Sequence, residues 1–310
     1  MAIIALLIIA VYMTIGVKFH NERFFRYAIK LRVPKMTAML VTSYAIGTAS
    51  FVFQSIINNT IVTPCLLGLN SLYTVIHTAV VFFAGSGSML ALNSNMSFAV
   101  DLVIMGIVSM AVYSYLLEKT KHNILYVLLI GTVMSSFFAS IQSTLVRIMD
   151  PNEYDILLTS LVASFSNINS GIIAFSIILL AVIAIVLRKE IRLLNVLTLG
   201  REQAVSLGID YNKSVRKLLL GVTLYIAVAT AMVGPVSFLG LIIANLSRQM
   251  FKTFRHSWLM AGSVLFGIII LTGGQLITER VFTYSIPVSV FITVGGGLYF
   301  LYLLLGKRRI

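Results

Sequence analysis

The chain has 310 residues, of which 59% are hydrophobic and only 11% charged, with a mean hydropathy of +0.99. Soluble domains carry about 25% charged residues, so too few charges remain to cover a globular surface, and a soluble enzyme and a disordered chain are both excluded. In such a chain the net charge of +13 reflects cytoplasmic loops and anionic lipid headgroups, and nucleic acid is not expected as a partner.

A membrane span needs about 20 largely apolar residues. Ten stretches qualify in chain order: 2–17, 37–57, 66–85, 98–117, 124–141, 171–187, 216–233, 236–250, 259–278 and 288–305. The first lacks a basic leader and a small-residue cleavage site, so it reads as a retained span rather than a signal peptide. The stretch 236–250 is short, which suits a tilted or protein-enclosed helix. Polar or breaking residues fill the gaps, among them Asn58, Asn59, Thr60 and Pro64, and later Asp150-Pro151-Asn152. No gap is long enough for a soluble domain, so residues 1–310 read as one all-α polytopic membrane domain.

The bias of Lys and Arg between loops places both termini in the cytoplasm. Lys119, Lys121, the run from Arg188 to Lys217, Arg248, Lys252, Arg255, Lys307, Arg308 and Arg309 then share that side. One block dissents. Residues 18–36 hold Lys18, Arg23, Arg26, Lys30, Arg32 and Lys35, and are expected to form an exposed outer loop. It either anchors in headgroups or meets a partner, unless the first span is misassigned.

Gradient-driven carriers use intramembrane ionisable relays. Here the middle of the spans is almost bare of them, which argues against a secondary transporter. Asp101, near the outer end of its span, is expected to cap or snorkel, and His77 to be packed or hydrogen-bonded. No G-x-x-x-x-G-K-[ST] loop is present, so ATP hydrolysis is not expected of this chain. Gly85-Ser86-Gly87 lacks the context of a nucleotide-binding turn. The single Cys65 permits neither an internal disulfide nor a multi-cysteine metal site. An intramembrane enzyme would need an HExxH, GxSxG or paired-carboxylate signature, and none is found. No catalytic or metal-ligating residue is therefore nominated.

The most informative stretches lie beyond residue 190. Leu199-Gly200-Arg201-Glu202-Gln203-Ala204-Val205-Ser206-Leu207-Gly208 is polar and bracketed by two Leu-Gly pairs. Each glycine can end a turn, which predicts a short helix over 201–207. Such a helix is either a knob for a soluble partner or an ordinary loop. Gly234-Pro235-Val236-Ser237-Phe238-Leu239-Gly240-Leu241-Ile242 follows, with Gly-Pro breaking one helix before the next begins. Ile286-Pro287-Val288-Ser289-Val290 then leads to Thr293, Gly295, Gly296 and Gly297, where glycines allow close packing or expose backbone to a pore.

Together these motifs resemble the FecCD family, the iron-siderophore and cobalamin permeases of type II ABC importers, and the likeness runs through nearly the whole chain. Leu199, Gly200, Ala204, Leu207 and Gly208 match the family's L-G-x-x-x-A-x-x-L-G. Gly234 to Ile242 matches G-P-x-x-F-x-G-L-I. The segment Ile286 to Val290 with Gly296, Phe300, Tyr302, Leu303 and Leu304 matches the final pattern. Arg32-Val33-Pro34-Lys35, Gln54 and the segment Asn58 to Gly68 correspond to upstream signatures. The chain departs at Asn59-Thr60 and Ala244-Asn245, where the family usually reads N-P and P-H, and its W-x-x-G-S is missing near Thr159-Ser160. Relaxed signatures of this kind are similar to the second permease of petrobactin- or enterobactin-like systems.

The resemblance implies a BtuC-like permease with about ten transmembrane helices in the bacterial inner membrane. It implies a ferric siderophore as substrate, with heme and cobalamin as alternatives within the family. It also implies a second, non-identical permease, two copies of a cytoplasmic ATPase that bind ATP and magnesium, and an extracytoplasmic siderophore-binding protein. Within 195–212, Leu199, Gly200, Arg201, Ala204, Leu207 and Gly208 would couple to the ATPase. Arg32, Lys35 and Arg280 would dock the binding protein, as two separated basic patches. Ser43, Gln54, Ser289, Thr293 and Gly296 would line the path.

Overall fold

A computed structural model describes residues 1–16, 22–85, 87–88, 93–119, 124–165, 168–284 and 286–306. Lys18, Ser86, Lys121, Lys307, Arg308 and Arg309 lie outside the described residues, as does the side chain of Thr159. Lipid offers no partners to backbone N–H and C=O groups, so a chain this apolar must satisfy them within helices or a closed barrel. Every regular element described is helical. In order they are α1 (Ala2–Thr14), α2 (Glu22–Ile57), a 3-10 turn (Pro64–Leu67), α3 (Leu69–Ala84), α4 (Ser94–Lys119), α5 (Ile124–Ile148) and α6 (Pro151–Leu161). Then come α7 (Ser170–Val186), α8 (Arg188–Leu197), α9 (Arg201–Ser206), α10 (Tyr211–Val233), α11 (Leu239–Met250), α12 (His256–Arg280) and α13 (Val288–Gly306).

Each of the ten predicted stretches falls on a helix. Five helices (α2, α4, α5, α10 and α12) are each long and apolar enough to cross a membrane, and α7 joins them if it is taken with α8, from which it bends by 53°. The clearest correction concerns residues 22–36, which are helix and not loop. α2 has 36 residues, about 54 Å at 1.5 Å per residue, against a hydrocarbon core of about 30 Å. Its burial begins at Met36, so about four turns precede the packed part. The basic side chains concealed this helix because they broke the apolar run. Pro34 sits inside it and costs one backbone hydrogen bond, while the Thr37 hydroxyl donates to the neighbouring Val33 carbonyl at 2.8 Å.

Asp101 is the second correction. It neither caps α4 nor reaches for solvent: it is buried and lies 2.9 Å from Nδ1 of His77 on α3. Sequence distance hid this contact, since the residues sit in different helices of one hairpin. The polar stretch around residue 150 breaks as expected, with Asp150 accepting from the Asn152 N–H at 2.9 Å to open α6.

α2 and α10 form the buried centre, whereas α5 lies at the periphery with little of its surface covered. α2 packs on α10, α11 and α12, and small residues let the backbones approach. The Gly47 carbonyl accepts from Ser263 of α12, and Gly267 of α12 sits directly on Ser43. Gly240 of α11 faces Ser50 so closely that a methyl group there would overlap it. Gly240→Ala should therefore destabilise by about 1–3 kcal/mol through overpacking. Gly295→Ala, which enters open space, should leave thermal unfolding of the purified protein unchanged. Equal effects of the two substitutions would refute the packing assignment.

Candidate coupling segment and substrate path

At one end of the bundle α8 leaves α7 at an angle and lays Glu190, Leu194 and Leu197 inward. Lys217 of α10 donates to Glu190 Oε1 at 2.7 Å. Burial pushes the Glu190 carboxyl up, but the Lys217 hydrogen bond, a backbone hydrogen bond and the charges of Lys217 and Lys189 together hold the group below the usual carboxylate range. α8 is also tied to the start of α12, where Nδ1 of His256 lies 2.6 Å from Asn195 Oδ1.

This fixed platform carries α9. Gly200, with φ of 105°, starts the short helix and Gly208, with φ of 79°, ends it. The Gly208 N–H donates to the Val205 carbonyl and the Ile209 N–H to the Ala204 carbonyl, the paired closure that a left-handed glycine permits at a helix C-terminus. Ala204 is fully buried beneath the helix, while Leu199, Val205 and Leu207 are 58%, 56% and 64% exposed. Arg201 is exposed beside them. The result is a short, mostly polar knob with Leu199, Val205 and Leu207 exposed on it, close to the extent that the two Leu-Gly pairs predict.

The proposed path residues scatter. Ser289 donates to the Ala163 carbonyl at 3.1 Å, and with Thr293 it lines a cavity of about 280 Å³ beside residues 161–163. Gln54 lines a different cavity, of about 180 Å³ near the α8 end, with Ser55, Asn58, Arg248 and His256. Ser43 is fully buried between α2 and α12, its hydroxyl returned to the Met39 carbonyl. Gly296 lies under Phe238, itself in a left-handed conformation with φ of 60°, and a side chain at 296 would strike the Phe238 Cβ. Ser43 and Gly296 therefore pack against neighbouring helices in this structure.

Two of the departures from the family pattern, at Thr60 and Asn245, meet in space. Asn245 Nδ2 donates to the Thr60 carbonyl at 2.8 Å, as does Gln54 Nε2. Beside them the Arg248 guanidinium stands 4.5 Å over the Phe51 ring and donates to Ser55. The altered residues thus form one local contact between α11 and the segment after α2.

At the opposite end Arg32 donates to the carbonyls of Tyr12, Met13 and Ile15, and Arg280 donates to the same Ile15 carbonyl. Lys35 contacts Glu279 and the Tyr284 hydroxyl at 3.4 and 3.3 Å. The three docking candidates thus form one cluster and not two separated patches. Arg32 and Lys35 are largely absorbed into it, whereas Arg280 stays exposed.

The FecCD transport family matches residues 1–306. The chain belongs to that family. It is 40% identical to the petrobactin import system permease protein YclO of Bacillus subtilis (strain 168), over 99% of this chain and 98% of the relative. It is 32% identical to the petrobactin import system permease protein FatC of Bacillus anthracis, over 91% of this chain and 80% of the relative. Among solved structures, a metal-chelate type ABC transporter in an inward-facing conformation superposes with a TM-score of 0.84 at 21% identity. That match covers 98% of this chain and 97% of the other. The FecCD chain described here therefore has the fold of an ABC permease.

The Glu190–Lys217 pair supplies a test of the platform. A carboxyl held below its unfolded value stabilises the fold above the carboxylate range, and that contribution is lost as pH falls through the folded value. Glu190→Gln should lower stability by about 1 kcal/mol at neutral pH, since Lys217 is half-exposed. The gap between variant and parent should close on acidification. A gap independent of pH would remove the charge from the account.

Proposed function

We propose that this chain is one permease subunit of an ATP-driven importer for a ferric siderophore of the petrobactin class. It would pair with a second, non-identical FecCD permease and with two copies of a cytoplasmic ATPase that binds ATP and magnesium. An extracytoplasmic siderophore-binding protein would deliver the substrate, and both termini would face the cytoplasm of a bacterium, with the chain in its inner membrane. The similarity to two petrobactin permeases supports the substrate class. The observation that carries the mechanism is the α9 knob: a short, exposed helix locked between two glycines, seated on Ala204 and carrying Leu199, Val205 and Leu207 outward.

The chain's role is mechanical. Movement of an ATPase groove around Leu199, Val205 and Leu207 would push α9, and α8 would pass the displacement through Glu190–Lys217 and Asn195–His256 to α10 and α12. The Ser289–Thr293 cavity offers a weakly polar wall, and weak ligands suit a bulky chelate that has to leave again. Leu207→Asp and Val205→Asp should each lower siderophore uptake and substrate-stimulated ATPase activity at least about tenfold while leaving thermal stability intact, because desolvated apolar anchors dominate interfaces. Ala204→Asp should lose both activity and stability, because that side chain points inward. Retained ATPase stimulation in the Leu207 variant would defeat the assignment.

Docking of the binding protein is best tested at Arg280. Arg32 holds α1 through three carbonyls, so its removal would confound binding with local structure. Arg280→Glu should weaken binding-protein affinity about two- to fivefold at low salt, as expected for an exposed ion pair, and the difference should vanish at high salt. Unchanged affinity at low ionic strength would leave this cluster with a structural role only.

A further inference from the structure

The cavity of about 180 Å³ at the α8 end lies between the end of α2, the segment after it, α11, the start of α12 and the α8–α9 link, and every residue that lines it is polar or charged. Arg248 of α11 brings a full positive charge into its wall. The guanidinium donates to Ser55 at 3.0 Å and stands 4.5 Å over the Phe51 ring. Arg248 Nε and the neighbouring Gln54 Oε1 are both buried without hydrogen-bond partners. No carboxylate among the described residues pairs with Arg248. The sequence shows why. No Asp or Glu occurs between Glu22 and Asp101, or between Asp210 and Glu279, so α2, the segment after it, α11 and the start of α12 have none to offer. The α8–α9 link is flanked by Glu190, which is taken by Lys217, and by Glu202, which is exposed on α9.

A carboxyl or an imidazole in such a place can shed its charge by gaining or losing a proton. A guanidinium cannot, because it stays protonated at every ordinary pH. The Phe51 face offsets part of the charge, but a half-withdrawn ion without a counter-charge remains costly. Several donors around it are spent elsewhere and only shape the walls: the Thr198 hydroxyl on the Asn195 carbonyl, His256 Nδ1 on Asn195 Oδ1 and Gln54 Nε2 on the Thr60 carbonyl. Two others remain. Asn59 Oδ1 accepts from the Ile61 N–H at 3.0 Å, which fixes the orientation of the amide and leaves Nδ2 to be given. Ser55 accepts from Arg248 through its oxygen, so its own O–H is still available. One fixed positive charge with neutral N–H and O–H donors beside it is the donor set of a monovalent anion.

We propose that this cavity binds one small monovalent inorganic anion, of which chloride is the simplest, between Arg248, Ser55 and Asn59. The anion supplies the negative charge that the surrounding helices lack. It ties the end of α11 to the segment after α2, directly beside the contact that holds α8 to α12.

The test uses the complex as it purifies from the membrane, in nanodiscs and without transport substrate, so its outcome is independent of the siderophore assignment. Thermal unfolding is followed while chloride replaces the bulkier gluconate at constant ionic strength. Chloride should raise the midpoint saturably by about 2–4 °C, and the complex should broaden the nuclear magnetic resonance line of chloride in solution. Asn59→Asp is the decisive variant. One carboxylate oxygen can keep the Ile61 N–H, while the other places a negative charge in the cavity with Arg248. The variant should raise the midpoint in gluconate and abolish both the chloride shift and the line broadening. Arg248→Gln should abolish both as well; should it fail to assemble, Asn59→Asp decides alone. Equal midpoints in the two salts, or a chloride effect undiminished in Asn59→Asp, would overturn the site. So would an Asn59→Asp midpoint below that of the parent in gluconate, the result expected if an acidic side chain of a partner subunit already faced Arg248.

Discussion

Close backbone approach around α2 is the constraint on which the rest of the structure depends. In lipid the hydrophobic effect gives helices no reason to associate, so association rests on van der Waals contact and on hydrogen bonds between helices. α2 obtains both by meeting small residues on its neighbours. Gly267 lies on Ser43, Gly240 on Ser50, and Ser263 bonds the Gly47 carbonyl. With α2 held this closely to α11 and α12, the ends of those helices are fixed relative to one another. The Thr60 carbonyl, Asn245 and Arg248 at one end, and Arg32, Lys35 and Glu279 at the other, are brought together as a result.

The same packing separates rigid parts from movable ones. α9 touches the body through Ala204 and through its glycine-closed turns, and its outer face is free of the bundle. In the proposed coupling role it would be displaced as a unit, and the polar contacts of α8 with α10 and α12 would carry the displacement into the spans. A longer or more deeply seated helix would resist being moved. In that role a loop without the Gly200 and Gly208 turns would absorb the motion instead of passing it on.

Much of this organisation is written locally. Apolar runs reveal the spans because lipid demands about 20 such residues in a row, and Leu-Gly pairs reveal α9 because few residues besides glycine adopt positive φ readily. What stays hidden depends on tertiary contact. Residues 22–36 continue α2 although their charges imitate a loop, since Arg32 and Lys35 are satisfied by α1 and α12 and need no solvent. His77 and Asp101 look like isolated polar residues until α3 and α4 are folded together. Thr60 and Asn245 look like two lapses from a pattern, although each supplies half of one hydrogen bond. Ser43 and Gly296 lie on helices that the family resemblance assigns to the path, and the neighbours each of them meets depend on how those helices are rotated.

The end of α1 has a further consequence for how the molecule is made. The Ile15 carbonyl is held by Arg32, which follows within 20 residues, and by Arg280, which follows 265 residues later. Tyr12 likewise donates to Glu279. During synthesis α1 can gain Arg32 early, but its contacts with Glu279 and Arg280 wait for residues that follow 267 and 265 positions later. α1 is thus locked only once α12 has been made, and completion of α12 closes the circle.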